Sequence, residues 1–379
     1  MKVACISASR VPSTTANSMQ VMKACQALSQ LGHEVHLFLP RFKHQNKETD
    51  LASFYGLKTQ FQIEWLSSPL SLNRYDFAFQ AARKARQLKA DISYVWFIQA
   101  GIFSLLANLP VIIELHGPPE GRFGPSLFRL FQKIPGKKRL LPITHALANQ
   151  FHERFNIDLS DHHLMQMSPN GVDMECYTNL PEPSMARTLL EMPSTLTVGY
   201  TGHLYPGRGM SLLIELARCF PSISFLWVGG RQQDVNIWRE RLAAENIGNI
   251  TLTGFVENSQ LPLFQAAADI LLMPYERVIT GSSGGNSTTY ASPMKMFEYM
   301  ACKRAIISSD LPVIREVLNQ SNAILCPPED IDAWSEALGT LIYDEEKRNT
   351  LANQAWLDIQ QYTWLERARK ALQGFIPLP

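Results

Sequence analysis

The sequence predicts an α/β protein with two Rossmann-like domains, each a doubly wound parallel sheet, that face each other across a cleft. Three observations support this prediction. The chain has 379 residues, more than one ordinary hydrophobic core accommodates. Short β-branched runs alternate with stretches of helical periodicity along both halves. This rhythm breaks once, around 168–184, and then restarts.

The first predicted domain covers residues 1–175. It opens with a strand at 3–9, a loop rich in Ser and Thr, and a helix that Gly32 ends as a C′ glycine. The run HEVHLFLP completes a strand–helix–strand unit of the parallel type. The same alternation predicts further strands at 91–97, 110–117 and 140–146 and helices near 101–107 and 125–133.

The second predicted domain covers residues 185–360 and follows a Pro-containing linker at 181–184. Its strands are predicted in TLTVGYTGHL, SISFLWVGG, NITLTGFV, ILLMPY and the run after SPMKMFEYMA, with helices between them. Two helices, at about 330–343 and 345–373, end the chain. The last segment, 361–379, is predicted to cross back to the first domain as a helix.

Composition excludes several classes of protein. The chain is 46% hydrophobic and 18% charged, as in globular proteins, and no apolar run is long enough to span a membrane. The first residues, MKVACISASR, do not resemble a signal peptide. None of the six cysteines lies at C-x-x-C spacing, which argues against a zinc site or a disulfide framework. We therefore expect the reducing cytoplasm.

The charge is unevenly distributed along the chain. Residues 1–170 hold 19 basic and 11 acidic residues, a net +8, whereas residues 171–379 hold 16 and 23, a net −7. The segment 122–139 carries six cations and no acid, with Phe123, Leu127, Leu130 and Ile134 on one helical face. Such a segment suits either an anionic membrane surface or an ordinary surface helix packed on the sheet.

The stretch SPMKMFEYMA places one acid, Glu298, in an otherwise uncharged run. Ser292 is the predicted N-cap and Pro293 the first helical residue, so the N–H groups of Met294 and Lys295 would face a phosphate. The Gly- and Ser-rich loop at 279–291 would wrap the ligand. Glu298 could then accept two ribose hydroxyls. The alternative is a core helix whose acid is paired with an internal donor.

Two further residues are candidates for binding or catalysis. Arg208 ends a Gly-rich loop after a predicted strand, where a guanidinium can bind phosphate or simply be solvated. His116 follows the strand PVIIEL, at the sheet edge where α/β proteins bind ligands, or else it merely ends that strand. Spacing alone does not decide between these readings.

Taken together, the motifs resemble the retaining family 4 glycosyltransferases of the GT-B architecture, with a Ser-Pro-x-Lys variant of the donor motif. The resemblance rests on segments spread in the family's order over nearly the whole chain. These are SASRVPSTTANSMQVMKACQALSQLGHEV, VIIELHG, SPNGVD, VGYTGHLYPGRGMSLLIELA, LWVGG, LTGFV and SPMKMFEYMACKRAIISSDLPVIREVL. They are specific for the fold and the broad chemistry, and not for the sugar or the acceptor.

The resemblance implies that the second domain binds a nucleotide sugar, UDP- or GDP-linked. Glu298 would hold the ribose hydroxyls and Arg208 the diphosphate, while His116 would lie near the reacting sugar. The other donor-binding residues it implies are Gly202, His203, Gly229, Gly230, Gly254, Phe255, Ser292, Pro293, Met294 and Lys295. The loop containing Arg10, Ser13 and Asn17 would approach the donor phosphates.

Two positions depart from the family's pattern. Tyr290 stands where the family often has a second glutamate, which leaves the sugar less determined. His203 stands where an arginine often pairs with the Arg208 position, so the diphosphate site is expected to be weaker or pH-sensitive.

The expected reaction is transfer of a sugar to a hydroxyl acceptor (a glycan, a lipid-linked or a small molecule) with retention, without a metal or other cofactor. His116, Arg208 and Glu298 are the predicted catalytic residues. The alternatives are a non-catalytic nucleotide-sugar-binding subunit, or a phosphorylase or epimerase of the same architecture. No G-x-G-x-x-G follows the first strand, which argues against a dehydrogenase.

The predicted partners are the donor and the acceptor. The near-neutral net charge of +1 and the lack of a recognisable module argue against nucleic acid. The predicted location is cytoplasmic, at the inner face of the membrane if 122–139 makes a peripheral contact there.

Overall fold

The structure of the protein is a computed structural model that describes residues 1–42, 49–68, 74–279 and 286–375. The chain folds into two units. The first comprises Met1–Asn170, Tyr290–Ser292 and Trp364–Pro379, and the second comprises Gly171–Thr289 and Pro293–Thr363. The end of the chain, from Trp364, therefore belongs to the first unit.

Each unit contains one six-stranded sheet in which every described pairing between strands is parallel. The first sheet has the order β3-β2-β1-β4-β5-β6 and the second β12-β11-β10-β7-β8-β9. The strands are β1 Lys2–Ile6, β2 Glu34–Pro40, β3 Gln62–Leu66, β4 Ile92–Val95, β5 Val111–Leu115, β6 Lys138–Pro142, β7 Thr197–Thr201, β8 Ser224–Val228, β9 Ile250–Gly254, β10 Ile270–Met273, β11 Ala305–Ser309 and β12 Ile324–Cys326.

Helices connect the strands and cover the sheets. They are α1 Ala16–Gln30, α2 Leu51–Tyr55, α3 Tyr75–Gln87, α4 Ile98–Leu106, α5 Gly124–Lys133, α6 His145–Phe155, α7 Pro183–Leu189, α8 Met210–Cys219, α9 Gln232–Ala244, α10 Leu261–Ala266, α11 Met294–Ala301, α12 Ile331–Tyr343, α13 Glu345–Asp358 and α14 Trp364–Leu372. The last of these, α14, packs against α1. Of the helices described, none is both long and apolar enough to cross a membrane.

Both sheets reverse their strand order beside the first strand, between β1 and β4 and between β7 and β10. Ligands of open parallel sheets bind beyond the carboxyl ends of the strands at such a reversal. In the second unit the loops at this point are the Gly-rich loop after β7 and the Pro274–Glu276 segment after β10. The strand order alone therefore indicates that these loops border a ligand-binding site.

Several local predictions are confirmed and others are wrong. Gly32 follows α1 with a left-handed φ of 83°, as a C′ glycine should. The predicted linker at 181–184 instead begins α7, because Pro183 occupies the first turn, where its missing N–H costs no hydrogen bond. The single helix predicted at 345–373 is broken after α13 by a 3-10 turn, Ile359–Gln361. This break lets Thr363 pair with Val172 before α14 starts.

Each unit has a hydrophobic core of its own among the described residues. The first is rich in phenylalanine, with Phe128, Phe131 and Phe151 packed under α5 and α6. The second is built around Trp227 and Trp334. All six cysteines carry free thiols, in keeping with the absence of a disulfide framework in the sequence pattern.

Candidate functional site

The Gly-rich loop after β7 is fixed against the end of β10. Gly209 has a φ of 72°, and a Cβ there would lie 1.9 Å from the carbonyl oxygen of Pro274. The Glu276 carboxylate accepts hydrogen bonds from the N–H groups of Gly207 and Gly209, at 3.2 Å and 3.1 Å. Only glycine fits this approach. The packing holds Arg208, the residue between the two glycines, in one place.

Arg208 lies among tyrosines. Its guanidinium carbon is 4.9 Å from the Tyr205 ring centroid and 5.0 Å from that of Tyr275, and it donates to the Tyr205 hydroxyl at 3.0 Å. Burial alone would lower the pKa of Arg208, but the phenols of Tyr275, Tyr200 and Tyr205 raise it above its usual value. Arg208 is therefore a permanent, half-buried cation.

Lys295 in the first turn of α11 is a second cation of this region. Its Nζ lies 3.9 Å from the Tyr200 ring centroid and 5.5 Å from that of Tyr275. Burial lowers the pKa of Lys295 well below its usual value, and the charge of Arg208 lowers it further. A Cβ on Gly202 would lie 2.8 Å from Nζ, so the glycine makes room for the ammonium.

The start of α11 differs from the prediction by one residue. Pro293 is the N-cap and the helix begins at Met294, so Ser292 is not the cap. Its hydroxyl accepts the N–H of Asn170 at 3.2 Å, and its carbonyl accepts the Asn170 side chain at 2.5 Å. Ser292 thus belongs to the first unit. The N–H groups of Met294 and Lys295 still lie in the first turn, where a helix lacks its own acceptors.

Glu298 is one turn further along α11 and half-buried. Its Oε2 accepts from Nε2 of Gln265 at 3.1 Å, and Oε1 of Gln265 accepts from the buried Tyr177 hydroxyl at 2.8 Å. Glu298 therefore has an internal donor, Gln265, as the alternative of a core helix with a paired acid predicted. The same hydrogen bond orients the carboxylate. Sequence reasoning missed Gln265 and Tyr177, although a polar Gln265 in the apolar run LPLFQAAA was a usable signal.

The other predicted donor-binding residues of the second unit lie on neighbouring loops. The His203 ring stacks on Tyr205 at 5.1 Å, and its carbonyl accepts the Tyr200 hydroxyl at 2.6 Å. The N–H of Gly229 donates to Gly254 at 2.8 Å, which joins the loops after β8 and β9. Next to them, Gly230 also has positive φ, and Phe255 is 50% exposed.

His116 lies at the carboxyl end of β5, as predicted, and a hydrogen bond to Glu114 holds its ring in position. Its Nε2 is 2.7 Å from Oε2 of Glu114, and its side chain is 25% exposed. Glu114 is fully buried, and its Oε1 accepts from Tyr94 and from Arg367 of α14, each at 2.6 Å. This network could not be predicted from the sequence, since Arg367 is more than 250 residues away along the chain.

The charge of Glu114 fixes the tautomer of His116. Burial would raise the pKa of the Glu114 carboxyl, but the Arg367 guanidinium and the hydrogen bond from His116 hold it far below its usual range. An ionised carboxylate is an acceptor only, so Nε2 of His116 must carry the proton. Nδ1 is then the nitrogen left for a ligand.

Of the three remaining predicted residues, Arg10 and Ser13 lie in the loop after β1 and Asn17 in the first turn of α1. Ser13 donates its N–H to the Tyr55 hydroxyl at 2.8 Å, and Asn17 accepts from Ser9 at 2.8 Å. The guanidinium of Arg10 lies 5.8 Å from the Phe42 ring centroid and is exposed. Residues 280–285 of the predicted wrapping loop lie outside the described residues.

Tyr290, the departure noted from the sequence, belongs to the first unit. A Cβ on Gly117 would lie 3.3 Å from its ring, so Tyr290 covers the loop that follows His116. Its carbonyl accepts from the Thr144 hydroxyl at 3.4 Å. Tyr290, from the segment before α11, therefore packs against the loop that follows His116.

The basic segment 122–139 is only partly a surface. Phe128 and Phe131 pack into the core, while Phe123 and Leu130 are 65% and 47% exposed. Leu127 and Ile134 of the predicted face are partly buried. Arg139 is buried and donates to the carbonyls of Ala371 and Gln373 at 3.0 Å and 2.7 Å, so it is unavailable to a membrane.

No group of three or more His, Cys, Asp or Glu side chains that could hold a metal ion occurs in the described parts of the chain. One Asp-x-Asp triplet is present, at 330–332. Its first carboxylate caps α12, because Asp330 accepts the N–H of Ala333 at 3.1 Å.

Comparisons with known proteins agree with this architecture. The family "Glycosyltransferase Family 4" matches residues 18–175, and "Glycosyl transferases group 1" matches residues 195–344. A phosphatidyl-myo-inositol mannosyltransferase of Mycolicibacterium smegmatis is 24% identical over 91% of this chain and 85% of its own length. A Bacillus subtilis relative named for teichuronic acid biosynthesis, TuaH, is 25% identical over 52% of this chain, and the chain spans only 50% of its length.

Solved structures show the same fold. A sucrose-phosphate synthase from Thermosynechococcus elongatus superposes with a TM-score of 0.74 at 16% identity, covering 98% of this chain and 97% of the other. HepE of Anabaena, in complex with UDP, has a TM-score of 0.73 at 17% identity, covering 98% of both chains. The predicted pair of Rossmann-like domains is confirmed, and the chain belongs to the family 4 glycosyltransferases of the GT-B fold.

Proposed function

We propose that this glycosyltransferase moves a sugar from a nucleotide-diphosphate donor to a hydroxyl acceptor with retention of anomeric configuration and without a metal. One observation carries the proposal. In the second unit a permanent cation, Arg208, and the first turn of α11 lie close to an oriented carboxylate, Glu298. A nucleoside diphosphate needs this combination: positive charge for the phosphates and an acceptor for the ribose hydroxyls.

In this proposal the donor lies across the loops that follow β7, β8, β9 and β10. The N–H groups of Met294 and Lys295 and the Arg208 guanidinium contact the diphosphate, and Glu298 accepts the ribose hydroxyls. The loops at Gly229–Gly230 and Gly254–Phe255 border the base. The HepE structures in complex with UDP and with UDP-glucose support UDP as the carrier.

Charge that develops on the leaving diphosphate would be stabilised by Arg208 and by the helix N-terminus. His116 would orient the sugar or stabilise charge on it through the nitrogen that Glu114 leaves open. Glu114 is itself unsuited to act as a nucleophile, because it is fully buried and both of its oxygens accept hydrogen bonds. These features support front-side attack through an oxocarbenium-like transition state.

A thermal-shift screen with UDP, GDP, ADP and CMP, with and without EDTA, tests the donor site. A ligand that binds only the folded protein raises the melting temperature, by an amount that grows with its affinity. We expect one diphosphate to give a clear shift that EDTA does not change and that Glu298→Ala abolishes. Matched Glu346→Ala, at an exposed position of α13, should retain the shift. No shift with any nucleotide would contradict the proposal.

We also propose that the acceptor is lipid-linked and that α5 touches the membrane surface. The exposed Phe123 and Leu130 are accompanied by the exposed cations Arg122, Arg129 and Lys133. The mannosyltransferase relative is named for a phosphatidyl-inositol substrate, which supports this choice.

Sedimentation with vesicles containing anionic lipid measures this contact. We expect binding at low salt that falls with increasing salt, and a several-fold loss in a Phe123→Ser/Leu130→Ser double variant. Met185→Ser/Leu189→Ser, which changes two exposed apolar residues of the second unit, is the matched control. Equal binding by both variants would rule out α5 as the contact.

A further inference from the structure

The Lys295 ammonium is not paired with a carboxylate of the described residues. The charge of Glu298 acts on it and raises the pKa of the amine, but burial and the charge of Arg208 lower that pKa by more. The nearest groups that the structure describes are aromatic faces, those of Tyr200 and Tyr275. Lys295 makes no ion pair with a described carboxylate. Glu298, three residues on, is turned toward Gln265. A half-buried cation without a carboxylate is costly, and a bound anion would offset that cost.

The surroundings of Lys295 are arranged to keep the amine where it is. Nζ of Lys295 lies close to the backbone of Gly202. A Cβ on Gly202 would be only 2.8 Å from Nζ, so the missing side chain leaves room for the amine. Tyr200 is buried, and its hydroxyl is anchored on the carbonyl of His203 at 2.6 Å. The ring beneath the ammonium is therefore held in place. Aromatic faces attract cations without neutralising them, so the charge remains available.

Lys295 and Arg208 share a neighbour. Both cations lie within 5.5 Å of the Tyr275 ring centroid, one from α11 and one from the loop after β7. Like charges brought together repel, and the Arg208 charge indeed lowers the pKa of Lys295. An anion with two charged groups relieves this repulsion at both cations at once. A single phosphate would do so less well.

We propose that the Lys295 side chain, and not only its backbone amide, is the second cation that binds the donor diphosphate. Lys295 thereby makes the site prefer diphosphates to monophosphates. This inference rests on the nucleotide-diphosphate donor proposed above. Lys295 of the Ser-Pro-x-Lys stretch then supplies the second positive charge on the diphosphate. His203, whose ring stacks on Tyr205, is not required for that role.

The lowered pKa of Lys295 gives UDP binding a pH dependence. The amine is charged at low pH and neutral at high pH, so diphosphate affinity should fall as pH rises toward the ordinary lysine pKa of about 10.4. The groups facing it do not obscure this range. Arg208 and the phenols of Tyr200, Tyr275 and Tyr299 have raised pKa values and keep their charge states. Among the described residues, Glu298 is the acid whose charge acts on the amine.

Isothermal titration of UDP and UMP into wild type, Lys295→Met and Lys295→Arg tests the inference. We expect Lys295→Met to bind UDP about ten- to a hundredfold more weakly, as for a lost charge-assisted hydrogen bond, with a much smaller change for UMP. Lys295→Arg should recover part of the affinity. Lys347→Met, an exposed lysine of α13, is the matched control and should behave as wild type.

Titrations between pH 7 and 9.5 add a second readout. Wild type should lose UDP affinity as pH rises and should take up a proton on binding, whereas Lys295→Met should show neither effect. His203→Gln should keep both effects, which separates the lysine from the histidine. UDP binding by Lys295→Met that equals wild type in affinity and pH slope would overturn the inference and leave the donor proposal standing.

Inorganic pyrophosphate separates this inference from the donor proposal. If wild type binds pyrophosphate through Lys295 but no nucleoside diphosphate, the second cation stands and the nucleotide donor falls. If wild type binds neither pyrophosphate nor any nucleoside diphosphate, both are overturned. Melting temperatures of all variants should match wild type, because the Lys295 amine makes no hydrogen bond or ion pair with the residues that the structure describes.

Discussion

The buried and half-buried cations of the two units have different neighbours: a carboxylate in the first unit and aromatic rings in the second. In the first unit Arg367 is 4% exposed, and its guanidinium donates to the fully buried Glu114 at 2.6 Å. In the second unit Lys295 lies 3.9 Å above an aromatic ring, and Arg208 lies among three tyrosines. Arg367 is neutralised by an ion pair within the protein, whereas Lys295 forms no ion pair with a carboxylate of the described residues.

This difference separates a structural cation from one that serves a ligand. Removing one partner of a buried ion pair leaves an uncompensated charge, so Arg367 should matter for stability. Removing a cation that lies on an aromatic face leaves no buried carboxylate unpaired. Lys295 should therefore matter for ligand binding more than for stability. We therefore expect loss of Arg367 to lower stability and loss of Lys295 to lower ligand affinity.

The largest expected effect concerns His116, which connects the structural network to the reaction. We expect His116→Ala to reduce kcat by about 10²- to 10⁴-fold, the usual loss when a positioned histidine is removed, with unchanged affinity for nucleoside diphosphate. Glu114→Gln should reduce kcat by less, because the ring remains but its tautomer is no longer fixed. Single-turnover rates and UDP titrations measure the two quantities. A matching loss of nucleotide affinity in His116→Ala would argue against this role.

The second effect is on stability. We expect Arg367→Leu to lower the free energy of unfolding by about 3–5 kcal/mol, since Glu114 is left buried without its cation. The exposed Arg369→Leu, two residues on, should change it by less than about 1 kcal/mol. Urea denaturation followed by tryptophan fluorescence compares them. Equal stability of the two variants would contradict the structural role of the pair.

The same pair predicts a pH dependence of stability. Because the folded pKa of Glu114 is depressed, its contribution is complete above the ordinary carboxyl pKa of about 4.3. The contribution is then lost progressively as pH falls below that value. Wild type and Arg367→Leu should therefore converge in stability at acidic pH, and a constant difference down to pH 2 would count against the assignment.

The smallest effect concerns the orientation of Glu298. Gln265→Leu removes a neutral hydrogen bond to the carboxylate, so we expect UDP affinity to fall by about two- to tenfold. The melting temperature should also fall slightly, because Tyr177 loses its acceptor. An affinity loss as large as that of Glu298→Ala would show that Gln265 itself contacts the nucleotide.

The sequence predicted the parts of the fold that local pattern controls. Strands β1, β2, β5 and β10 are β-branched or apolar runs, and Gly32 marks a helix end by its backbone conformation. The pattern missed β3, α3 and β12, which lie partly in polar or short stretches. It also misplaced the N-cap, because the hydroxyl of Ser292 is used by Asn170, a partner 122 residues away.

The site was predicted to the same extent. Arg208, Glu298 and His116 lie where loops and helix ends follow strands, so their positions could be read from the chain. The residues that orient them, Gln265 and Arg367, come from other elements, and only the folded structure brings them together. Long-range partners of this kind leave no periodic signal in one sequence.

The most direct test of the central claim is a crystal structure of the protein with UDP bound. We expect the diphosphate to contact Arg208, the Lys295 ammonium and the first turn of α11, with the ribose hydroxyls on Glu298. Electron density for UDP elsewhere, or a diphosphate that contacts Arg208 while the Lys295 amine stays on the Tyr200 ring out of reach, would contradict it.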